Sequence, residues 1–227
     1  MVIKAWSIDV DKEAMTKEEG ERMPKELFYE IDEEKKKRIT EAALKEFAEY
    51  GFENASTNQI VKESGISKGS LFKYFEGKED LYFYLMDTVS LQMAEDMKTD
   101  IANLPADIFE RVAVYSVAEI SWYAANPVKG KFMIKIAAEG DSEIGKKIIK
   151  RYGEKSNDIY LELMKGADLS GLHAGRKEVM NLLKWVLQGF NESYLKNLNG
   201  ECEDIGKLKR DYTRQLKKYL KILKEGL

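Results

Sequence analysis

Three observations on the 227-residue chain predict an all-α fold. Apolar residues recur at three- and four-residue spacing almost throughout, and no alternating strand pattern stands between residues 33 and 227. Only 3 prolines interrupt the chain, and 44% of its residues are hydrophobic, enough for a substantial core in one or two domains.

The first firm helix is predicted over 32–50. Ile39, Ala42, Ala43, Leu44 and Phe47 form its apolar stripe, and Gly51 suits a left-handed C-terminal cap. Phe52 anchors the turn. Thr57 is expected to cap the second helix, whose inward residues are Ile60 and Val61. Gly65 supplies positive φ at little steric cost, Ile66 plugs a small core, and Ser67 caps the third helix. Leu71 and Phe75, four apart, point back to that core. A fourth helix begins at Lys78, with Glu79 and Asp80 in its first turn where carboxylates suit the helix dipole, and runs to about residue 98. Later helices are expected near 106–125, 127–138, 142–165, 176–199 and 202–225. Pro105 and Pro127 fit first-turn or pre-helix positions, and Gly140, Gly166, Gly171, Gly175 and Gly200 punctuate the gaps. No internal repeat of fixed period is present.

Domain boundaries follow from these elements: an N-terminal extension or arm over 1–31, a three-helix head over 32–80, and a larger helical domain over 81–227. Residues 1–22 are acidic and lack a sustained period. Met23 is expected to be the biological start, because Lys17-Glu-Glu-Gly-Glu-Arg can be encoded by a purine-rich stretch resembling a ribosome-binding sequence. A genuine disordered or partner-binding tail is the competing reading.

Composition narrows the function classes. Cys202 and His173 are the only residues of their kinds, which excludes an intramolecular disulfide and leaves a Cys/His zinc site short of ligands; no metal or cofactor is expected. With no signal-peptide pattern and no apolar run of about 18 residues, the chain reads as a soluble cytoplasmic protein. Net charge is -3, but it is unevenly spread: residues 1–34 carry 5 basic and 11 acidic groups, whereas residues 35–78 carry 9 basic and 6 acidic. Phosphate binding depends on local cations, so this balance permits a nucleic-acid partner.

The stretch Thr57-Asn-Gln-Ile-Val-Lys-Glu-Ser-Gly65-Ile-Ser-Lys-Gly-Ser-Leu-Phe-Lys-Tyr-Phe75 places two short helices around a glycine turn, the shape of a helix-turn-helix. Thr57 and Lys78, each at a helix N-terminus, are candidates for phosphate contact, as is the Tyr74 phenol. Lys68 and Lys73 are long enough for phosphates or guanine edges. Gly69 allows close approach, Ser70 suits a base edge, and Phe72 suits a thymine methyl or sugar surface.

Residues 39–85, above all Ala42-Ala-Leu-Lys-Glu-Phe-Ala-Glu-Tyr-Gly-Phe-Glu-Asn-Ala-Ser-Thr-Asn-Gln-Ile and Gly65-Ile-Ser-Lys-Gly-Ser-Leu-Phe-Lys-Tyr-Phe-Glu-Gly-Lys-Glu-Asp-Leu, closely resemble the N-terminal domain of TetR-type transcriptional regulators. The resemblance implies a dimeric repressor with a three-helix DNA-binding domain, a linking fourth helix, and a larger ligand-binding and dimerisation domain. Carried over position by position, it puts phosphate contacts at Thr57, Tyr74 and Lys78, and base or groove contacts at Lys68, Gly69, Ser70, Phe72 and Lys73. One departure stands out: the family usually has Tyr where this chain has Phe72, so the phenol that commonly bonds a phosphate is missing.

In the larger domain, Trp122, Tyr123, Phe132 and Trp185 are candidates to line a pocket for a small hydrophobic effector. The last two helices carry broad apolar stripes, and Phe190, Leu198, Leu208, Tyr212, Leu216 and Tyr219 are expected to pair across a two-fold axis as a homodimer interface. The DNA partner is then a pseudo-palindromic operator, released when effector binding retilts the fourth helix. A DNA-binding dimer controlled by a protein partner is the alternative. Catalysis is not expected: there is no nucleophile–base signature and no glycine-rich phosphate loop.

Overall fold

A computed structural model describes residues 24–152, 165–170, 172, 175–197 and 204–226. Among these residues ten helices succeed one another: α1 (Glu26–Glu30), α2 (Glu33–Asn54), α3 (Thr57–Ser64), α4 (Lys68–Tyr74), α5 (Lys78–Ala102), α6 (Ile108–Ala125), α7 (Pro127–Ala138), α8 (Glu143–Tyr152), α9 (Arg176–Asn197) and α10 (Ile205–Gly226). No strand occurs among them, only an isolated bridge between Asp107 and Asp168. No helix of the described residues is long and apolar enough to cross a membrane.

Local sequence explains where the head's helices begin and bend. Asp32 caps α2, its carboxylate accepting from the Lys35 N–H at 2.8 Å, with Glu33 and Glu34 at the positive end of the helix dipole. Ile39, Ala42, Ala43 and Phe47 form the buried stripe that their spacing predicts. The regular helix breaks at Gly51, whose φ of 70° turns the chain before one further turn ends at Asn54. The N-cap of α3 is Ser56, not Thr57: the Ser56 hydroxyl accepts from the Gln59 N–H, and Thr57 becomes the first helical residue. Both residues are good caps, and sequence alone does not separate neighbouring hydroxyls.

The predicted N-terminal arm contains α1, and it is part of the core. Phe28 is buried, its ring 4.8 Å from that of Phe75, 5.9 Å from Tyr74 and 5.2 Å from Tyr84, centroid to centroid. The expected start at Met23 and the reading of residues 1–22 lie outside the described residues.

The long helix α5 buries Leu81, Leu85, Val89, Met93 and Met97, one residue every four, and so runs out of the head into the rest of the chain. A second connection runs beside it. Helix α7 lies along α2, with Phe132 packed against Phe47 and Tyr82, and Lys131 paired with Glu49 at 3.6 Å. The Phe52 N–H donates to Glu139, just beyond α7. At its other end α7 is pressed onto α6: a Cβ on Gly130 would lie 2.8 Å from the Tyr123 carbonyl oxygen, so only glycine permits this approach. Helix α10 closes the core against α6 through Leu208, Tyr212, Leu216 and Leu220.

Candidate nucleic-acid interface

The helix-turn-helix is built by three local devices. Gly65 adopts a left-handed conformation (φ 66°, ψ 30°) and ends α3, its N–H donating to Lys62 while the Ile66 N–H donates to Val61. Ser67 caps α4, its hydroxyl accepting from the Ser70 N–H at 3.1 Å and lying 2.8 Å from the Ser70 hydroxyl. Leu71, Tyr74 and Phe75 then sink into the head's core.

This arrangement gives α4 two unlike faces. At 100° per residue, Lys68, Phe72, Gly69 and Lys73 fall within an arc of about 140°. All four are exposed, and Phe72 keeps 38% of its surface open. Helix α4 therefore presents two ammonium groups, a bare backbone patch and an apolar ring on one side. Another surface of the head differs in sign: a cleft between α2 and α3 is lined by Glu41, Glu46, Glu49 and Glu63 with Arg38 and Lys45. Repulsion there and attraction at Lys68 and Lys73 favour one approach of a polyanion.

Two residues expected to reach phosphate are otherwise engaged. Tyr74 is 5% exposed, its ring packed near Phe28 and with the Lys35 ammonium 5.4 Å from its centroid. It points into the head because it sits three residues after Leu71 on the inward face. The Lys78 ammonium turns back to donate to the carbonyls of Glu53 (3.0 Å) and Ala55 (3.3 Å), 4.7 Å from the centre of the Phe52 ring. It neutralises the negative end of α2. What remains at the start of α5 is its backbone: Gly77 offers no side-chain cap to the first N–H groups. Thr57, in the first turn of α3, is half-buried, and the Ser70 hydroxyl shares a hydrogen bond with Ser67.

Sequence reasoning passed over Lys25. Its backbone N–H donates to the Tyr74 carbonyl at 2.8 Å and its ammonium to the Phe72 carbonyl at 3.1 Å. Arg38 similarly reaches the Ser64 carbonyl at the end of α3. Thus α2, α3 and α4 each have a cation on their terminal carbonyls, from Lys78, Arg38 and Lys25. These contacts join residues 23 to 47 positions apart, and no local motif encodes them.

The four aromatic residues proposed for a pocket are not brought together as one lining, although the Trp122 and Tyr123 rings lie 5.9 Å apart. Trp122 is buried and donates from its indole to Asp96 at 2.8 Å. Tyr123 is buried and donates to Glu119 at 3.0 Å, whereas Phe132 packs against α2 and α5. Trp185 is 66% exposed. The interface set also divides. Leu208, Tyr212 and Leu216 are buried within the chain, because the stripe repeating every four residues is used against α6. Tyr219 is 47% exposed, and half-buried Phe190 packs against both Tyr212 and Tyr219. Leu198 lies outside the described residues.

Comparison with known proteins agrees with this architecture. Residues 39–85 match the family model described as bacterial regulatory proteins, tetR family, and residues 106–227 match the tetracyclin repressor-like C-terminal domain. The HTH-type transcriptional regulator SAB2452 of Staphylococcus aureus is 28% identical over 137 residues, 60% of this chain and 70% of that protein. An HTH-type regulator of Staphylococcus aureus strain USA300 is 47% identical over 53 residues, 23% of this chain and 29% of its own. Among solved structures, a TetR family regulator from Chloroflexus aurantiacus has a TM-score of 0.58 at 22% identity, covering 90% of this chain and 98% of that one. FadR from Bacillus subtilis, solved with stearoyl-CoA, has a TM-score of 0.54 at 21% identity over 79% of this chain and 96% of its own. At such identities the structural likeness concerns the fold, but the repressor-like model alone covers more than half of the sequence. The chain belongs to the TetR family and is a transcriptional regulator with a DNA-binding helix-turn-helix.

Proposed function

We propose that the protein is a homodimeric repressor that leaves a pseudo-palindromic operator when a small hydrophobic molecule binds its larger domain. The observation that carries this reading is the outward face of α4, where Lys68, Gly69, Phe72 and Lys73 stand exposed on a helix fixed from behind by Leu71, Tyr74 and Phe75. A rigid helix with cations at its flanks and an apolar ring between them suits the major groove, where Phe72 would meet a thymine methyl or sugar. Phosphates fit the backbone N–H groups that open α3 at Thr57 and α5 at Lys78, with positive dipole ends behind them.

Support for the dimer comes from what the chain leaves uncovered. Trp185 of α9 and Tyr219 and Ile222 of α10 are exposed, and Gly189, one turn beyond Trp185, has open space where a Cβ would stand. Bulky apolar groups beside a bare backbone suit a self-complementary helix contact. Two heads related by a two-fold axis would then read half-sites about 34 Å apart.

Control is proposed to run along both connections between the head and the remainder, α5 and the α2–α7 contact. A ligand that favours one arrangement by about 1–3 kcal/mol changes operator affinity some 5–150-fold. Selection of bound duplexes from a random pool tests the scheme. Recovered sequences should be inverted repeats with one-turn half-site spacing, and fragments without symmetry would overturn the dimeric reading.

A further inference from the structure

The interior of the larger domain holds a carboxyl group that neither DNA reading nor folding uses. Glu119 lies in the middle of α6 and is 4% exposed. The Tyr123 hydroxyl, one turn on, donates to its Oε1 at 3.0 Å, and no other hydrogen bond reaches the carboxyl among the described residues. Around it stand Tyr115 and Ser116 from α6, Tyr212 from α10, and Asn191 from α9, which accepts from the Tyr212 hydroxyl at 2.8 Å. All of these are buried. Among the described residues the titratable groups that face Glu119 are the three phenols, each pushed up by burial, and none of those residues sets a lysine or arginine against it.

Such a group is costly where it stands. A carboxylate taken from water without a counter-charge is strongly disfavoured, and a glutamine would keep the Tyr123 contact without that cost. Burial, only partly countered by the Tyr123 hydroxyl, pushes the Glu119 carboxyl up to about 8. The groups that surround it are the ones a cation requires: one acid to ionise and tyrosine rings whose faces carry negative potential. An anionic head would meet the negative ring faces and would gain nothing from ionisation of the acid, which it opposes.

We infer that the effector of this regulator is a hydrophobic cation, an amine or quaternary ammonium on an apolar body, with its charge seated against Glu119 among Tyr115, Tyr123 and Tyr212. This rests on the reading of the protein as effector-controlled and names the chemical class of that effector. The position also explains how occupancy reaches the DNA. Tyr123 is the residue onto which Gly130 of α7 is pressed, and α7 lies along α2 of the head. A ligand that takes the Glu119 carboxylate from Tyr123 therefore acts on the element that braces the head.

Titration calorimetry on the full chain tests this with shape-matched probes: phenyltrimethylammonium against neutral tert-butylbenzene, and tetraphenylphosphonium against tetraphenylborate. At least one cation should bind and its matched neutral or anionic probe should not, and Glu119→Gln should weaken the cation at least about tenfold. These cations do not titrate, so their affinity for the unsubstituted chain should tighten from pH 6 to 8, because binding requires Glu119 to lose its proton. In Glu119→Gln that dependence should vanish. Thermal melting of the variant shows that it is folded, and Val114→Ala, at an exposed position of the same helix, should retain cation binding and its pH dependence and so guards against a general disturbance of α6. No cation binding, equal binding of the matched probes, or unchanged affinity in Glu119→Gln overturns the inference. Operator binding, followed in parallel by anisotropy, separates the two levels. A neutral or anionic compound that releases the operator leaves the repressor reading standing and removes the cation, whereas absence of any operator binding removes the repressor reading itself.

Discussion

Arg151 of α8 and Asp87 of α5 form an ion pair at 2.9 Å, with 13% and 10% of their side chains exposed. The same carboxylate accepts from the Tyr152 hydroxyl at 2.7 Å, and the guanidinium lies 5.0 Å from the centre of the Phe83 ring. The long helix that leaves the DNA-binding head is thus clamped one third of the way along its length. Arg151→Ala takes the guanidinium from a buried carboxylate and should destabilise the protein by about 3 kcal/mol. The double variant Asp87→Leu/Arg151→Met should lose less, since it strands no charge. Urea denaturation of both checks this, and equal losses in the two would show that the charges are not coupled.

Phe28→Ala is expected to cost about 3 kcal/mol, the usual range for a buried phenylalanine, although α1 has only five residues. The ring joins Tyr74 and Phe75 at the end of α4 to Tyr84 on α5, so its loss should also loosen α4 and weaken operator binding. Melting temperature and binding anisotropy on the same sample are the measurements. A shift of under about 0.5 kcal/mol would mean that α1 is dispensable to the head.

What sequence revealed here and what it hid have physical reasons. The helices were legible because apolar stripes at positions such as Ile39, Ala42, Ala43 and Phe47 repeat with the helical period, and Gly51 and Gly65 mark backbone that other residues avoid. The outward set Lys68, Gly69, Phe72 and Lys73 was legible for the same reason, since it is the complement of Leu71. Tyr74 and Lys78, read from sequence as phosphate contacts, are engaged by the core and by the Glu53 and Ala55 carbonyls, because amphipathic side chains turn either way: a phenol can sink into a core, and a lysine can reach back to a carbonyl. Lys25 was invisible, because its partners lie 47 and 49 positions along the chain. The apolar stripe of α10 is covered by α6 at Leu208, Tyr212 and Leu216, while Tyr219 stays exposed. Periodicity reports that a face is buried, not what buries it.

Lys68→Ala and Lys73→Ala should each weaken operator binding and lower the salt slope by about 0.9, as expected for one lost phosphate contact. Lys78→Ala should behave differently. Its ammonium holds the Glu53 and Ala55 carbonyls, so the variant should lose about 1–2 kcal/mol of stability with little change in slope. Anisotropy across a salt series, with parallel denaturation, distinguishes the two kinds of lysine. A slope change in Lys78→Ala with stability intact would restore it to the phosphate contacts.

Trp185→Glu is expected to separate the protomers while leaving each chain helical, because an indole 66% exposed contributes little to the fold of one chain. Light scattering should give the mass of one chain. Operator affinity should fall at least about a hundredfold, since each head then binds without the other. A variant that stays dimeric would move the interface away from the Trp185, Tyr219 and Ile222 surface.

Stability should depend on pH through Glu119, and the sign is fixed by the direction of its shift. The carboxyl is raised from 4.5 to about 8 in the folded chain by burial, which the Tyr123 hydroxyl only partly offsets. Below about pH 4.5 the group is protonated in both folded and unfolded chains, and its contribution is fully present. Between 4.5 and 8 the unfolded chain releases a proton that the folded chain retains, so stability is lost progressively as pH rises through that window. Above 8 both states are ionised and the loss levels off. At about 1.4 kcal/mol per pKa unit the total is on the order of a few kcal/mol. Denaturation of the protein at pH 5, 6.5 and 8, without any added effector, should show the decline, and Glu119→Gln should remove most of it. If the variant declines as steeply as the unsubstituted chain, another group is responsible and Glu119 is already compensated inside the protein. A saturating hydrophobic cation should flatten the same decline at its alkaline end, because the counter-charge then makes the ionised carboxylate the favoured form in the folded chain.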